Sequence, residues 1–136
     1  RSYGELEPIT YYRFAPTELT RRTKFITASL PVTEGVDLPQ IERMKGIEHI
    51  GVRVRQSGTV TDIYMNLEAD GSIRHRNANF EMPNGWETDA YLFGFTYPEG
   101  ADPSNLDAIT RYLYCDSNYL RREGKVVDAL RELGPA

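Results

Sequence analysis

The sequence predicts an all-β protein, an antiparallel two-sheet β-sandwich. Apolar and polar residues alternate with period two in run after run, Gly, Pro, Asn and Asp turns separate the runs, and about nine such runs recur at intervals of roughly ten residues. At 136 residues and 15.5 kDa the chain suits one domain, residues 1–136, able to bury a continuous core without disulfide or metal staples. It opens at Arg1 in mid-pattern, so it is expected to be a domain excised from a larger multidomain protein.

The elements follow in order. Residues 9–14 combine Ile9, Tyr11 and Tyr12 in a strand-forming run that Pro16 ends. Residues 23–30 are a second expected strand, closed by Pro31. Residues 34–46 contain Gly35, Pro39 and mixed charges, and read as a long connection with at most a helical turn over 41–44. In residues 47–55, Ile50, Val52 and Val54 face one way and His49, Arg53 and Arg55 the other, the pattern of a half-buried strand. Ser57-Gly58 turns the chain into residues 59–67, where Thr61, Ile63 and Met65 oppose Val60, Asp62 and Tyr64.

Asp70-Gly71 is a hairpin signal, because glycine tolerates the positive φ that such turns need, and residues 72–76 are the returning strand. After the Asn84-Gly85 turn, residues 88–97 place Asp89, Tyr91, Phe93, Phe95 and Tyr97 on one face. Residues 109–115 and 119–121 continue the β pattern, and Glu123-Gly124 turns into residues 125–130. Residues 127–133 also fit one short C-terminal helix stopped by Gly134-Pro135.

Composition narrows the function classes. A hydrophobic share of 40% and a charged share of 26% are those of an ordinary folded protein, and the longest apolar runs fall short of a bilayer, so no membrane partner is expected. The net charge is -4 and no basic block is present, which argues against nucleic acid. The basic side is nonetheless dominated by thirteen arginines against Lys24, Lys45 and Lys125, and guanidinium forks suit carboxylate or sulfate groups. Cys115 is the lone cysteine, so an intrachain disulfide is excluded; the run Tyr112-Leu113-Tyr114-Cys115 reads as a buried strand end.

The candidate substrate-binding residues are Arg53, Arg55, Arg74, Arg76 and Trp86. The four arginines lie on neighbouring expected strands and, with Tyr64, make a candidate anion-binding face; the plainer alternative is a solvated sheet face whose charges discourage edge pairing. Trp86, beside a turn and outside the alternation, is a candidate exposed platform or interface anchor. Tyr91, Phe93, Phe95 and Tyr97 are better read as one layer of core than as a sugar-stacking surface. His49 and His75 sit in no metal-binding motif, and no metal or other cofactor is expected. Glu87 and Asp89 are near each other, but nothing supports them as a glycosidase pair, and no catalytic residue is assigned.

The succession Thr20-Arg21-Arg22-Thr23-Lys24-Phe25-Ile26-Thr27-Ala28-Ser29-Leu30-Pro31-Val32 resembles a strand of heparinase II/III-type polysaccharide lyases in which a basic residue precedes an apolar run ending in proline. Trp86-Glu87-Thr88-Asp89-Ala90-Tyr91-Leu92 and Tyr119-Leu120-Arg121-Arg122-Glu123-Gly124-Lys125-Val126-Val127 are similar to the last strands of that family's sandwich region. The resemblance implies a parent enzyme, secreted or periplasmic, that cleaves uronic-acid glycans by β-elimination with a catalytic helical toroid absent from these residues. It implies that this chain is the non-catalytic C-terminal sandwich, which braces the parent's catalytic domain or lines that domain's acidic-glycan cleft, its partner being the catalytic domain or an acidic polysaccharide. The alternative is a free-standing carbohydrate-binding module for acidic polysaccharides.

Overall fold

The computed structural model describes residues 15–20, 23–30, 33–68, 79–123 and 125–128. Among them are nine strands: β1 (Gln40–Lys45), β2 (His49–Gln56), β3 (Thr59–Asn66), β4 (Phe80–Glu81), β5 (Trp86–Thr88), β6 (Leu92–Pro98), β7 (Arg111–Cys115), β8 (Leu120–Arg122) and β9 (Lys125–Asp128). Strands β1-β2-β3-β6-β7 form a five-stranded antiparallel sheet and β4-β5-β8-β9 a four-stranded one. One 3-10 turn, Leu106–Ala108, interrupts the β6–β7 connection. The expected two-sheet antiparallel sandwich is therefore present.

The core lies between the sheets. Val60 and Tyr64 of β3 and Phe93, Phe95 and Tyr97 of β6 meet Phe80, Trp86 and Leu120 of the smaller sheet, with Met82 and Ala90 filling between. The aromatic alternation of β6 supplies a core layer, as the sequence implies, and each such buried ring contributes roughly 1.5–3 kcal/mol. Tyr91 stands outside it: the chain leaves the small sheet at Thr88 and enters the large one at Leu92, so the expected strand over 88–97 is two strands in different sheets. Asp89 fixes this crossing. Buried at 5% exposure, its Oδ1 accepts from the Asn118 backbone N–H at 2.9 Å and from Ser117 Oγ at 3.3 Å, tying the β5–β6 link to the β7–β8 link.

The β2–β3 hairpin closes through two residues, Gln56 pairing with Thr59. Ser57 and Gly58 have φ of 51° and 72°, the left-handed pair of a type I′ turn, whose twist matches that of the flanking strands. At the other end of β2, Gly46 lies against His49: a Cβ there would stand 2.3 Å from the imidazole. His49 itself is 5% exposed and touches the rings of Tyr64 and Phe80, at centroid distances of 5.1 and 5.5 Å, bridging the two sheets.

Several expectations are corrected. Residues 40–45, read within a connection or helical turn, are strand β1, whose alternation is masked because it sets Gln40 and Glu42 against Ile41 and Arg43. Residues 23–30 are not a strand. They run over the outer surface of the large sheet, bordering Ile50, Val52, Val54 and Ile63, and lie on a sheet face where no ladder partner is offered. Cys115 is exposed, because β7 is an edge strand exposed along its whole length. At the end of the chain Lys125–Asp128 is strand rather than helix, and 129–133 lie outside the described residues, as do the expected strands over 9–14 and 72–76.

Burial holds the His49 pKa below its usual 6.5, and nearby Glu48 opposes that only in part. A histidine whose folded pKa is depressed binds its proton more readily unfolded, so stability is full above 6.5 and falls as pH drops through and below that value. Thermal unfolding between pH 7.5 and 5 is expected to show a falling midpoint in the native chain and a flatter profile in His49→Gln; equal slopes would contradict the bridging role.

Candidate functional site

The arginines nominated from sequence lead to the inner surface of the large sheet. Strand register puts Arg53 opposite Asp62 and Arg55 opposite Val60 on β3, which in turn face Phe95 and Tyr97 on β6. The face of β2 that carries His49, Gly51, Arg53 and Arg55 is therefore the core side, and Ile50, Val52 and Val54 point outward. This replaces the solvated-face alternative for Arg53, while Arg55, nearer the strand end, is still 31% exposed. The bulkier aromatics of β3 and β6 decide which side is buried, and β2 follows its neighbours through register.

Asp62 is 1% exposed and holds Arg53 in a two-pronged pair, Nε to Oδ1 and Nη2 to Oδ2, both at 2.7 Å. The Tyr97 hydroxyl donates to Asp62 Oδ2 at 3.2 Å. The Asp62 hydrogen bonds push the Arg53 pKa further up, so the guanidinium stays charged throughout. Burial, reinforced by the Asp62 charge, raises the Tyr64 and Tyr97 phenols, which therefore serve as neutral hydroxyls. Arg55 Nη1 reaches Glu42 Oε2 at 2.9 Å in an exposed pair of the kind that contributes little and exchanges partners readily. Arg53 and Arg55 thus do lie on one face, but each already faces a carboxylate. Arg74 and Arg76 lie outside the described residues.

Trp86 is not an exposed platform. The ring is 2% exposed, and its Nε1 donates to the Ser104 carbonyl at 3.3 Å, a carbonyl that also accepts from Arg122 Nη1. The loop bearing Ser104 is shaped by side chains: Asp102 accepts from the Ser104 N–H and hydroxyl, and Asn105 caps the 3-10 turn by accepting from the Asp107 N–H. Between loop and strand lies a cavity of 520 Å³ lined by Trp86, Ser104, Asn105, Leu106, Asp107 and Arg122. Arg122 and this loop were missed in the sequence because a loop that follows β6 gives no periodic signal that it returns over β5; the Asp-Pro-Ser-Asn turn chemistry was the one available clue.

Glu87 and Asp89 are not a facing carboxylate pair. Glu87 Oε2 takes both Arg121 Nε, at 3.0 Å, and Nη2, at 2.7 Å, while Asp89 serves the crossing between sheets. Among the described residues no group of three or more His, Cys, Asp or Glu is placed to hold a metal ion, and no helix is long and apolar enough to cross a membrane. Compared with known proteins, the chain matches no family model, no curated protein and no solved structure.

The Arg53–Asp62 pair gives a direct test. Arg53→Met leaves a carboxylate at 1% exposure without its counter-charge and is expected to cost about 3 kcal/mol or more in chemical denaturation. The double variant Arg53→Met/Asp62→Leu is expected to recover most of that loss, and a double variant as unstable as the single one would contradict the pairing.

Proposed function

We propose that this chain is a non-catalytic β-sandwich that braces a neighbouring catalytic domain, the role implied for the C-terminal region of a secreted or periplasmic heparinase-like polysaccharide lyase. The observation that supports this reading is the outer side of the β6–β7 half of the large sheet. Register sets Gly94 and Leu113 in one outward row and Leu92 and Cys115 in the next, beside the polar row of Thr96 and Arg111. Leu113 is 52% exposed. An antiparallel sheet that packs a core on one face ordinarily presents polar residues on the other, and an apolar stretch on that second face favours a covering partner. The arginines nearest the core carry carboxylates of their own chain, which weighs against their serving first as a glycan-binding surface.

A second reading rests on the cavity beside Trp86. A carbohydrate-binding module for acidic polysaccharides would seat a sugar there against the exposed Leu106, over the buried indole, with Asn105 and Arg122 as polar partners. Titration with heparin, alginate and hyaluronan fragments at low and high salt, with unsaturated-product absorbance followed on the same samples, separates the two. Bracing predicts neither product nor salt-sensitive binding, together with slowed modification of Cys115 by a bulky thiol reagent when the catalytic neighbour is joined to the chain. Salt-sensitive binding lost in Arg122→Ala would transfer the role to the binding module, and product formation would overturn both readings.

A further inference from the structure

We propose that the β1–β3 half of the outer sheet face, where residues 23–30 cross it, binds a free alkyl carboxylate. This goes beyond bracing and concerns the opposite half of the face.

Residues 23–30 form a strap. At one end Lys24 Nζ donates to the Asn66 and Leu67 carbonyls, the latter at 3.1 Å, and lies 5.3 Å from the centre of the Tyr91 ring. From there the strap follows β2 toward the Ser57-Gly58 turn, and Leu30 reaches the neighbourhood of Gln56 and Thr59. Among the described residues, 25–30 have no backbone–backbone hydrogen bond, and Lys24 anchors one end.

A cleft lies on each side of the strap. The cleft toward β3 has a volume of 420 Å³ and is walled by Ile26, Leu30, Val52, Val54 and Ile63. The cleft toward β1 has 710 Å³ and is walled by Phe25, Ile26, Ile41, Ile50 and Val52, with Arg43 and Lys24 the charged groups lining it. Both fall within the roughly 300–1,000 Å³ of small-molecule sites. They share Ile26 of the strap and Val52 of β2 as walls, so the two clefts adjoin along the strap.

Charge selects the head group. On the outward positions of the large sheet stand Arg43 and Lys45 of β1 and Arg111 of β7; its strand carboxylates, Glu42 and Asp62, are on the inward positions. Among the described residues, the charged side chains lining the larger cleft, Lys24 and Arg43, are thus both cationic in a chain of net charge -4. A flexible hydrocarbon tail suits the apolar walls of the larger cleft, and a carboxylate suits the fork of Arg43 at its β1 side.

The test is titration of the chain with sodium dodecanoate below its micelle concentration, followed by methyl NMR. Saturable shifts are expected at Ile26, Ile50, Val52 and Ile63, with affinity lowered about tenfold by Arg43→Glu through loss of one charge-assisted contact. Dodecyltrimethylammonium, with the same tail and the opposite charge, is expected to bind far more weakly. Arg43→Gln, milder on this exposed edge strand, covers the case in which the glutamate variant misfolds. Absence of shifts, equal affinity for both amphiphiles, indifference to Arg43, or binding to phosphatidylglycerol vesicles without binding of monomeric dodecanoate would each overturn the proposal.

Discussion

The inward aromatics of β3 and β6 are the constraint on which the arrangement of the large sheet depends, and the pairing of Arg53 with Asp62 is what lets β2 follow them. A charged side chain on the core side of a sandwich is tolerated only with a counter-charge and satisfied donors, and Asp62 with the Tyr97 hydroxyl provides both. Because side chains alternate strictly along a strand, turning Arg53 inward turns Val52 and Val54 outward. The aliphatic outer face, the strap laid over it and the clefts beside that strap all follow from this one choice of side. Register transmits it to β1, where Met44 joins the core and Arg43 is left on the outside.

The all-β class and the aromatic core layer were legible because period-two alternation and turn residues are local signals. The Ser57-Gly58 hairpin and Phe93, Phe95 and Tyr97 stand where such signals place them. What was not legible is which face of an alternating strand is buried. In β2 three aliphatic residues oppose one histidine and two arginines, and hydrophobicity alone selects the wrong side. The deciding partners, Asp62, Tyr64 and Tyr97, lie on other strands, and their contribution is tertiary. The same holds for β1, whose mixed charges hide its period, and for residues 23–30, whose composition is that of a strand but whose place across a sheet face gives it no ladder.

The candidate sites divide in the same way. Arg53 and Arg55 were visible as arginines on one strand face, yet their carboxylate partners are set by register with β3 and β1. Trp86 was visible as an aromatic beside a turn, and its burial under the loop carrying Ser104 was not, because that cover returns from after β6. Exposure of Leu113 and Cys115 follows from the edge position of β7, a property of strand order that no single segment encodes.

The inward direction of the arginine face is the claim from which the other assignments descend, and methyl-to-methyl and methyl-to-ring nuclear Overhauser contacts measure it most directly. The account predicts contacts from the Val54 and Ile63 methyls to Ile26 and Leu30 of the strap. Contacts from those methyls to the rings of Trp86, Phe93 or Phe95 instead would place the aliphatic row in the core and contradict it.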